Sequence, residues 1–283
     1  MLESAPVKVL AARSAGFCWG VRRAVEQARQ IAKTGPLPVR TDGRLIHNAP
    51  MMAALAKEGI EETDDPSGLK GGTLLIRAHG ISPERREALR MLPLKLVDAT
   101  CPDVARIQGT IRKYAGKGYA VIVFGDVGHA EVLGLLGFAS NGGWVVSDPA
   151  EVAALPDMDP VCLVSQSTQL PASYDAVAAA VRARFPGAVI LDTICESTRN
   201  RQKELVELAA RADAIVVVGD PSSANTRRLA ELARSMLPTF AVQSAAELDP
   251  AAIRRYKVVA LTAGASTPDF VLNAVRAALE AMD

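Results

Sequence analysis

Short apolar runs alternate with longer amphipathic ones along most of the chain. YAVIVFG at 119–125, VCLVSQ at 161–166 and AIVVVG at 214–219 are strand-length and close on glycine or polar residues. Between such runs, WGVRRAVEQARQIAKTG, PDVARIQGTIRKYAGKG and ESTRNRQKELVELAARA space their apolar residues at helical intervals. This alternation predicts parallel βαβ layers of the α/β class. The pattern also repeats. VKVLAARSAGFC, LKLVDATC and AVILDTIC are strand-like runs, and each ends in a cysteine that opens one of the three helices. Pro102, directly after Cys101, takes the first helical position, where a missing N–H costs nothing. Cys18, Cys101 and Cys195 thus head three repeats of similar length, 83 and 94 residues apart with 88 remaining.

Each repeat continues alike. A strand and polar loop follow the first helix in PVRTDGRLIHN, YAVIVFGDVGH and AIVVVGDPSSAN. His47, His129 and Ser223 fall 29, 28 and 28 residues after the cysteine of their repeat. MMAALAKEG, AEVLGLLGFA and TRRLAELARSM then predict a second helix. A later strand carries a polar tip in TLLIRAHG, VCLVSQST and VVALTAGAST, with His79, Ser167 and Ser266 as anchors. Polar groups on such folds gather beyond the carboxyl ends of the strands. The expected organisation is three similar αβ lobes, 13–100, 101–194 and 195–283, in a pseudo-threefold trefoil whose strand tips face one central cavity. Runs 94–98 and 188–191 can complete the first two lobes. The third lacks a counterpart, which strand 7–12 is expected to supply.

Composition narrows the function. With 49% hydrophobic residues the chain can bury substantial cores, so disorder is excluded. Lys and Arg number 32 against 31 Asp and Glu, and aromatics are 4%, which argues against nucleic acid as a partner. No apolar run reaches the ~20 residues of a membrane helix. Glu3, Lys8 and Arg13 interrupt what a secretory signal would need, so a cytoplasmic location is expected. Four dispersed cysteines do not make a disulfide scaffold.

Cys162, inside VCLVSQ, reads as a small buried hydrophobe. The other three share one repeat position, which independent core cysteines have no reason to do. Without a CxxC pair they fit a cluster held between lobes better than a zinc ribbon. Three thiolates on a [4Fe–4S] cluster leave one iron open, which suggests catalysis rather than electron carriage. The three histidines, His47, His79 and His129, all fall on the expected cavity loops. With Ser223 and Asn225 at a helix start, they read as a diphosphate or carboxylate cradle. Gly-x-Gly-x-x-Gly and P-loop motifs are absent. Glu131 is either a first-turn carboxylate favoured by the helix dipole or a proton donor beside the open iron. Arg22–Arg23 and Arg227–Arg228 read as solvated helix faces, or alternatively as a docking patch for an acidic electron donor.

These residues resemble one family, the 4-hydroxy-3-methylbut-2-enyl diphosphate reductases that end the methylerythritol phosphate route to isoprenoids. The likeness rests on GFCWGVRRAV at 16–25, LIHN at 45–48, RAHGIS at 77–82, DATCPDV at 98–104 and GHAEVLG at 128–134. DTICESTRNRQ at 192–202, SSAN at 222–225 and TAGASTPD at 262–269 complete it. The resemblance implies that Cys18, Cys101 and Cys195 hold a [4Fe–4S] cluster with one open iron. It implies that His47, His79, His129, Ser223, Asn225 and Ser266 bind the diphosphate. Glu131 would relay protons, and Ser167 would stand near the substrate hydroxyl, where the family commonly has threonine. Asp220-Pro221-Ser222 departs from the family's usual Lys-Asn, and Ala130 from its Pro. The implied reaction is reductive dehydroxylation of the allylic alcohol to isopentenyl and dimethylallyl diphosphate. Electrons would come from a ferredoxin- or flavodoxin-type donor. Two other readings are a non-reductive [4Fe–4S] Lewis-acid enzyme like the quinolinate synthases, and a non-catalytic iron–sulfur sensor.

Overall fold

A computed structural model describes residues 7–282. In chain order, β1 (Lys8–Ala11), α1 (Trp19–Thr34), β2 (Val39–Asp42), α2 (Ala49–Lys57), β3 (Ile60–Thr63), β4 (Thr73–Ile76), α3 (Pro83–Arg90) and β5 (Lys95–Asp98) come first. There follow α4 (Pro102–Ala115), β6 (Ala120–Phe124), α5 (Ala130–Leu136), β7 (Gly143–Val146), β8 (Val161–Ser165), α6 (Pro171–Arg184) and β9 (Val189–Ile190). The last stretch holds α7 (Glu196–Ala209), β10 (Ala214–Val218), α8 (Ala224–Arg234), β11 (Thr239–Val242), α9 (Pro250–Ile253), β12 (Val258–Ala263) and α10 (Asp269–Glu280).

The described strands form three four-stranded parallel sheets, ordered β3-β2-β4-β5, β7-β6-β8-β9 and β11-β10-β12-β1. The three orders are one topology. Each sheet has a central pair flanked by a short edge strand and a closing strand. In the third sheet the closing strand is β1, which runs parallel to β12 with Lys8 opposite Val258 and Ala11 opposite Leu261.

The described residues divide into two compact units, one of 7–22, 47–54 and 196–282, the other of 23–46 and 55–195. In the first, alternate residues of β10 and β12 feed two cores. Val216, Val218, Val259 and Leu261 pack with Val271, Val275 and Leu279 of α10. Ile215, Val217 and Ala260 pack with Leu205, Leu229 and Ala233 of α7 and α8. Burial on both faces is why AIVVV is an unbroken apolar run rather than an alternating one. Each such Val or Ile is worth about 1.5–3 kcal/mol when fully buried.

The second unit repeats the device. Ile122, Phe124 and Leu163 pack against Tyr174, Val177 and Val181 of α6. Val121, Val123, Cys162 and Val164 pack against α4 and α5 on the other face. Cys162 is fully buried there, and that burial pushes its thiol up to about 12. It is the small core hydrophobe that its strand context suggests.

Candidate active site

The three cysteines outside the core share one backbone environment. Cys18 and Cys195 directly precede α1 and α7, and Cys101 caps α4. The Cys18 N–H donates to the Ala265 carbonyl at 3.0 Å, that of Cys101 to Ala78 at 2.9 Å, and that of Cys195 to Ser167 at 3.0 Å. Each acceptor stands two residues beyond the end of β12, β4 or β8, the third strand across its sheet in the orders given above. The sheet therefore fixes the height at which each cysteine starts its helix, at the dipole end that favours negative charge. All three are half-buried. The Val21 N–H donates to Cys18 Sγ at 3.4 Å.

This shared hook also sets the repeat register. Counted from the strand ends, Ser167 corresponds to Ala78 and Ala265, while the counterpart of His79 and Ser266 is Thr168. Thr168 Oγ1 is buried and has no hydrogen-bond partner among the described residues.

In the first unit, Ser223 is the N-cap of α8, its Oγ accepting from the Thr226 N–H. Asn225 lies in the first turn of that helix, 4% exposed, with Nδ2 buried and unpartnered among the described residues. Ser266 donates its hydroxyl proton to the His47 carbonyl at 2.8 Å. Both ring nitrogens of His47 are buried from solvent. The next residue, Asn48, caps α2 by accepting from the Met51 N–H at 2.9 Å. Four of the residues singled out in the sequence thus belong to two helix starts and one strand tip of a single unit.

In the second unit, Glu131 and Ser167 form a paired contact. Glu131 is 2% exposed, its Oε1 accepts from the Ser167 N–H at 2.7 Å, and its Oε2 accepts from Ser167 Oγ at 2.8 Å. A bare first-turn carboxylate would face solvent, whereas this one turns inward onto the loop that also receives the Cys195 N–H. His129 caps α5, its Nδ1 accepting from the Glu131 N–H at 3.1 Å. That leaves Nε2 as the nitrogen that carries a proton in the neutral ring. The His79 and His129 rings meet edge to face with centroids 5.8 Å apart.

Several supporting residues carry no sequence signal of their own. Gln166 is fully buried, its Oε1 accepting from the Asp126 N–H at 2.9 Å and from Gln169 Nε2 at 3.2 Å. Arg201, 3% exposed on α7, donates to the Ala263 and Gly16 carbonyls at 3.0 and 2.6 Å, holding the approach to Cys18 against the end of β12. Glu204, one turn on, accepts from the backbone N–H groups of Arg13 and Ser14. Burial opposes its ionisation, but the Ser14 and Arg13 bonds outweigh it and hold the carboxyl below the usual range. Asp98 behaves likewise ahead of Cys101. Desolvation works against it, yet bonds from Thr100 and Arg86 keep its carboxyl low.

Among the described residues, no three His, Cys, Asp or Glu side chains converge as ligands of a single metal ion do. An iron–sulfur cubane asks for something else, because its thiolate ligands bind separate irons and need not meet at a point. The donor set fits that demand: three half-buried cysteines in one repeated backbone setting, with the fourth sealed in a core.

The chain matches the family model described as LytB protein over residues 9–280. A 4-hydroxy-3-methylbut-2-enyl diphosphate reductase of Opitutus terrae is 46% identical across 98% of this chain and the whole of that protein. The protein of the same name from Citrifermentans bemidjiense is 38% identical, with 98% of each chain covered. Among solved structures, the E-1-hydroxy-2-methyl-but-2-enyl-4-diphosphate reductase of Plasmodium falciparum superposes with a TM-score of 0.90 at 27% identity, over 95% of this chain and 86% of that one. A second, described as the terminal enzyme of the non-mevalonate pathway, gives 0.73 at 34% identity over 97% and 99%. Within the described residues, no helix is long and apolar enough to cross a membrane. With three parallel sheets of one topology and relatives matched along nearly its full length, the chain belongs to the LytB family of 4-hydroxy-3-methylbut-2-enyl diphosphate reductases, a family of oxidoreductases.

Proposed function

We propose that this chain reduces 4-hydroxy-3-methylbut-2-enyl diphosphate in the cytoplasm, consuming two electrons and two protons and releasing water with isopentenyl or dimethylallyl diphosphate. Cys18, Cys101 and Cys195 would hold a [4Fe–4S] cluster with one iron free of protein ligands, each heading one of three lobes bounded at 100/101 and 194/195. When bound, that cluster supplies one-electron reducing equivalents and a Lewis-acidic iron. A ferredoxin- or flavodoxin-type protein would deliver the electrons.

The chain's own residues do the rest. His47, His79, Ser223, Asn225, Ser266 and the Nε2–H of His129 bind the diphosphate. The buried Asn225 Nδ2 is a donor awaiting such an acceptor, and leaving a donor of this kind unpaired costs about 1–3 kcal/mol. Glu131 carries a proton on its carboxyl to the departing hydroxyl. Ser167 Oγ, 2.8 Å from Glu131 Oε2, orients that carboxyl and presents its own oxygen to the alcohol. The observation that carries the reading is the identical backbone hook of the three cysteines. Relatives named as reductases lend no support to a Lewis-acid enzyme without net reduction, or to a sensor.

The test is an anaerobic iron and sulfide count with a reductase assay. The parent should carry about four irons. Cys18→Ser, Cys101→Ser and Cys195→Ser should each lose or cripple the cluster and the activity, while Cys162→Ala keeps the visible absorbance. Unchanged iron content in the three serine variants would sink the assignment.

A further inference from the structure

Asp220 is a buried carboxylate that the proposed chemistry leaves unused. It follows Gly219 at the end of β10 and is 5% exposed. Its Oδ2 accepts from the N–H of Ala49, the first residue of α2, at 3.0 Å. Its Oδ1 accepts from the Ser222 N–H at 2.8 Å and from Ser222 Oγ at 2.7 Å. One side chain therefore gathers two segments 171 positions apart in sequence. On one side stands the loop that delivers Ser223 to the start of α8. On the other stands His47-Asn48-Ala49, whose first carbonyl is already held by Ser266 Oγ at 2.8 Å.

We propose that Asp220 is a positioning residue for the anion cradle, tying the α2 start to the Ser223 loop so that His47 and Ser223 are presented together. The inference rests on the reading that these residues bind the substrate diphosphate. The side chain acts through two effects of opposite sign. Its bonds to Ala49 and Ser222 fix the geometry that an anion needs, while its negative charge opposes any anion nearby. Substitution separates the two. Asparagine keeps the size and two of these bonds, turning its carbonyl to the Ala49 N–H and donating to Ser222 Oγ, but it gives up the Ser222 N–H and sheds the charge. Alanine removes shape and charge together.

The experiment compares the parent, Asp220→Asn and Asp220→Ala. Binding of inorganic diphosphate is followed by titration calorimetry, kcat and KM for the allylic diphosphate are measured, and thermal midpoints serve as a folding control. Asp220→Ala should weaken inorganic diphosphate about tenfold or more and raise KM to match, with kcat within about threefold. That is the scale of one lost charge-assisted hydrogen bond. Asp220→Asn should recover affinity to within about threefold of the parent or exceed it. If alanine binds inorganic diphosphate as well as the parent does, Asp220 positions nothing. If asparagine fails to rescue while both variants lose thermal stability equally, it is only a fold support. A parent that binds no inorganic diphosphate at all would instead overturn the cradle reading, a result distinct from either.

Discussion

Replacing Glu131 by glutamine tests the proton path with little change of shape. The carboxylate accepts two bonds from Ser167, at 2.7 Å to its N–H and 2.8 Å to its Oγ. Glutamine can keep its oxygen on the N–H and donate its amide to Oγ, because a hydroxyl also accepts. Both contacts survive but lose charge assistance, about 1 kcal/mol apiece. Relief from burying a charge offsets part of that. The stability cost should thus stay below about 2 kcal/mol, a shift of a few degrees in thermal midpoint for a chain of this size. Catalysis should suffer more. Losing a general acid typically costs ~10²–10⁴ in rate, or about 2.7–5.4 kcal/mol at 1.36 per decade. Turnover with reduced methyl viologen should fall on that scale, and KM should hardly move. Ser167→Ala keeps the backbone N–H contact to Glu131 and should lose less. A Glu131→Gln enzyme within about fivefold of the parent would refute the assignment and leave Glu131 as a clasp for the Ser167 loop.

Arg201→Met should lower stability by about 3 kcal/mol or more, since it strands the buried Ala263 and Gly16 carbonyls. Hydrogen exchange should rise over residues 13–18, and an unchanged thermal midpoint would contradict this. Asp98 makes stability depend on pH. Its folded carboxyl sits below the ordinary value, so its contribution is complete above ~3.9 and is lost as pH falls through the lower folded value. The gap in urea midpoint between the parent and Asp98→Asn should be level from pH 7 to 5 and close in stronger acid. A gap that widens in acid would be the wrong sign.

The central strands were legible because they are sealed on both faces. AIVVV and VCLVS are continuous apolar runs, buried along their whole length. The edge strands IEET, GWVV and TFAV were not. Each has four residues, is partly exposed and shows no clean alternation. Cysteine spacing exposed the repeat, but counting from the cysteines runs through loops of unequal length. It set Ser167 beside His79 and Ser266, a place the strand ends give to Thr168. The pairing of Glu131 with Ser167 joins residues 36 apart whose types alone do not announce a contact. Arg201 and Glu204 spend themselves on backbone groups, which have no letter in a sequence. Asp220 showed only as a departure, and its bonds to Ala49 and Ser222 needed coordinates to find.

Closing the third sheet with β1 has a consequence for how the chain acquires its structure. Lys8 pairs with Val258, and the Val7 N–H reaches the Met282 carbonyl at 3.3 Å. During synthesis, β1 must wait for the 250 positions that separate Lys8 from Val258 to be made before its partner emerges, with the row of backbone groups meant for β12 unmatched. Contacts this distant in sequence slow folding and lengthen the time an open strand can find a wrong mate. Because the end of α10 meets β1, a circular permutant with residues 7 and 282 bridged and the chain reopened between the exposed Ser140 and Asn141 tests this. That rearrangement would make the β1–β12 pairing local and should speed refolding without altering the folded product.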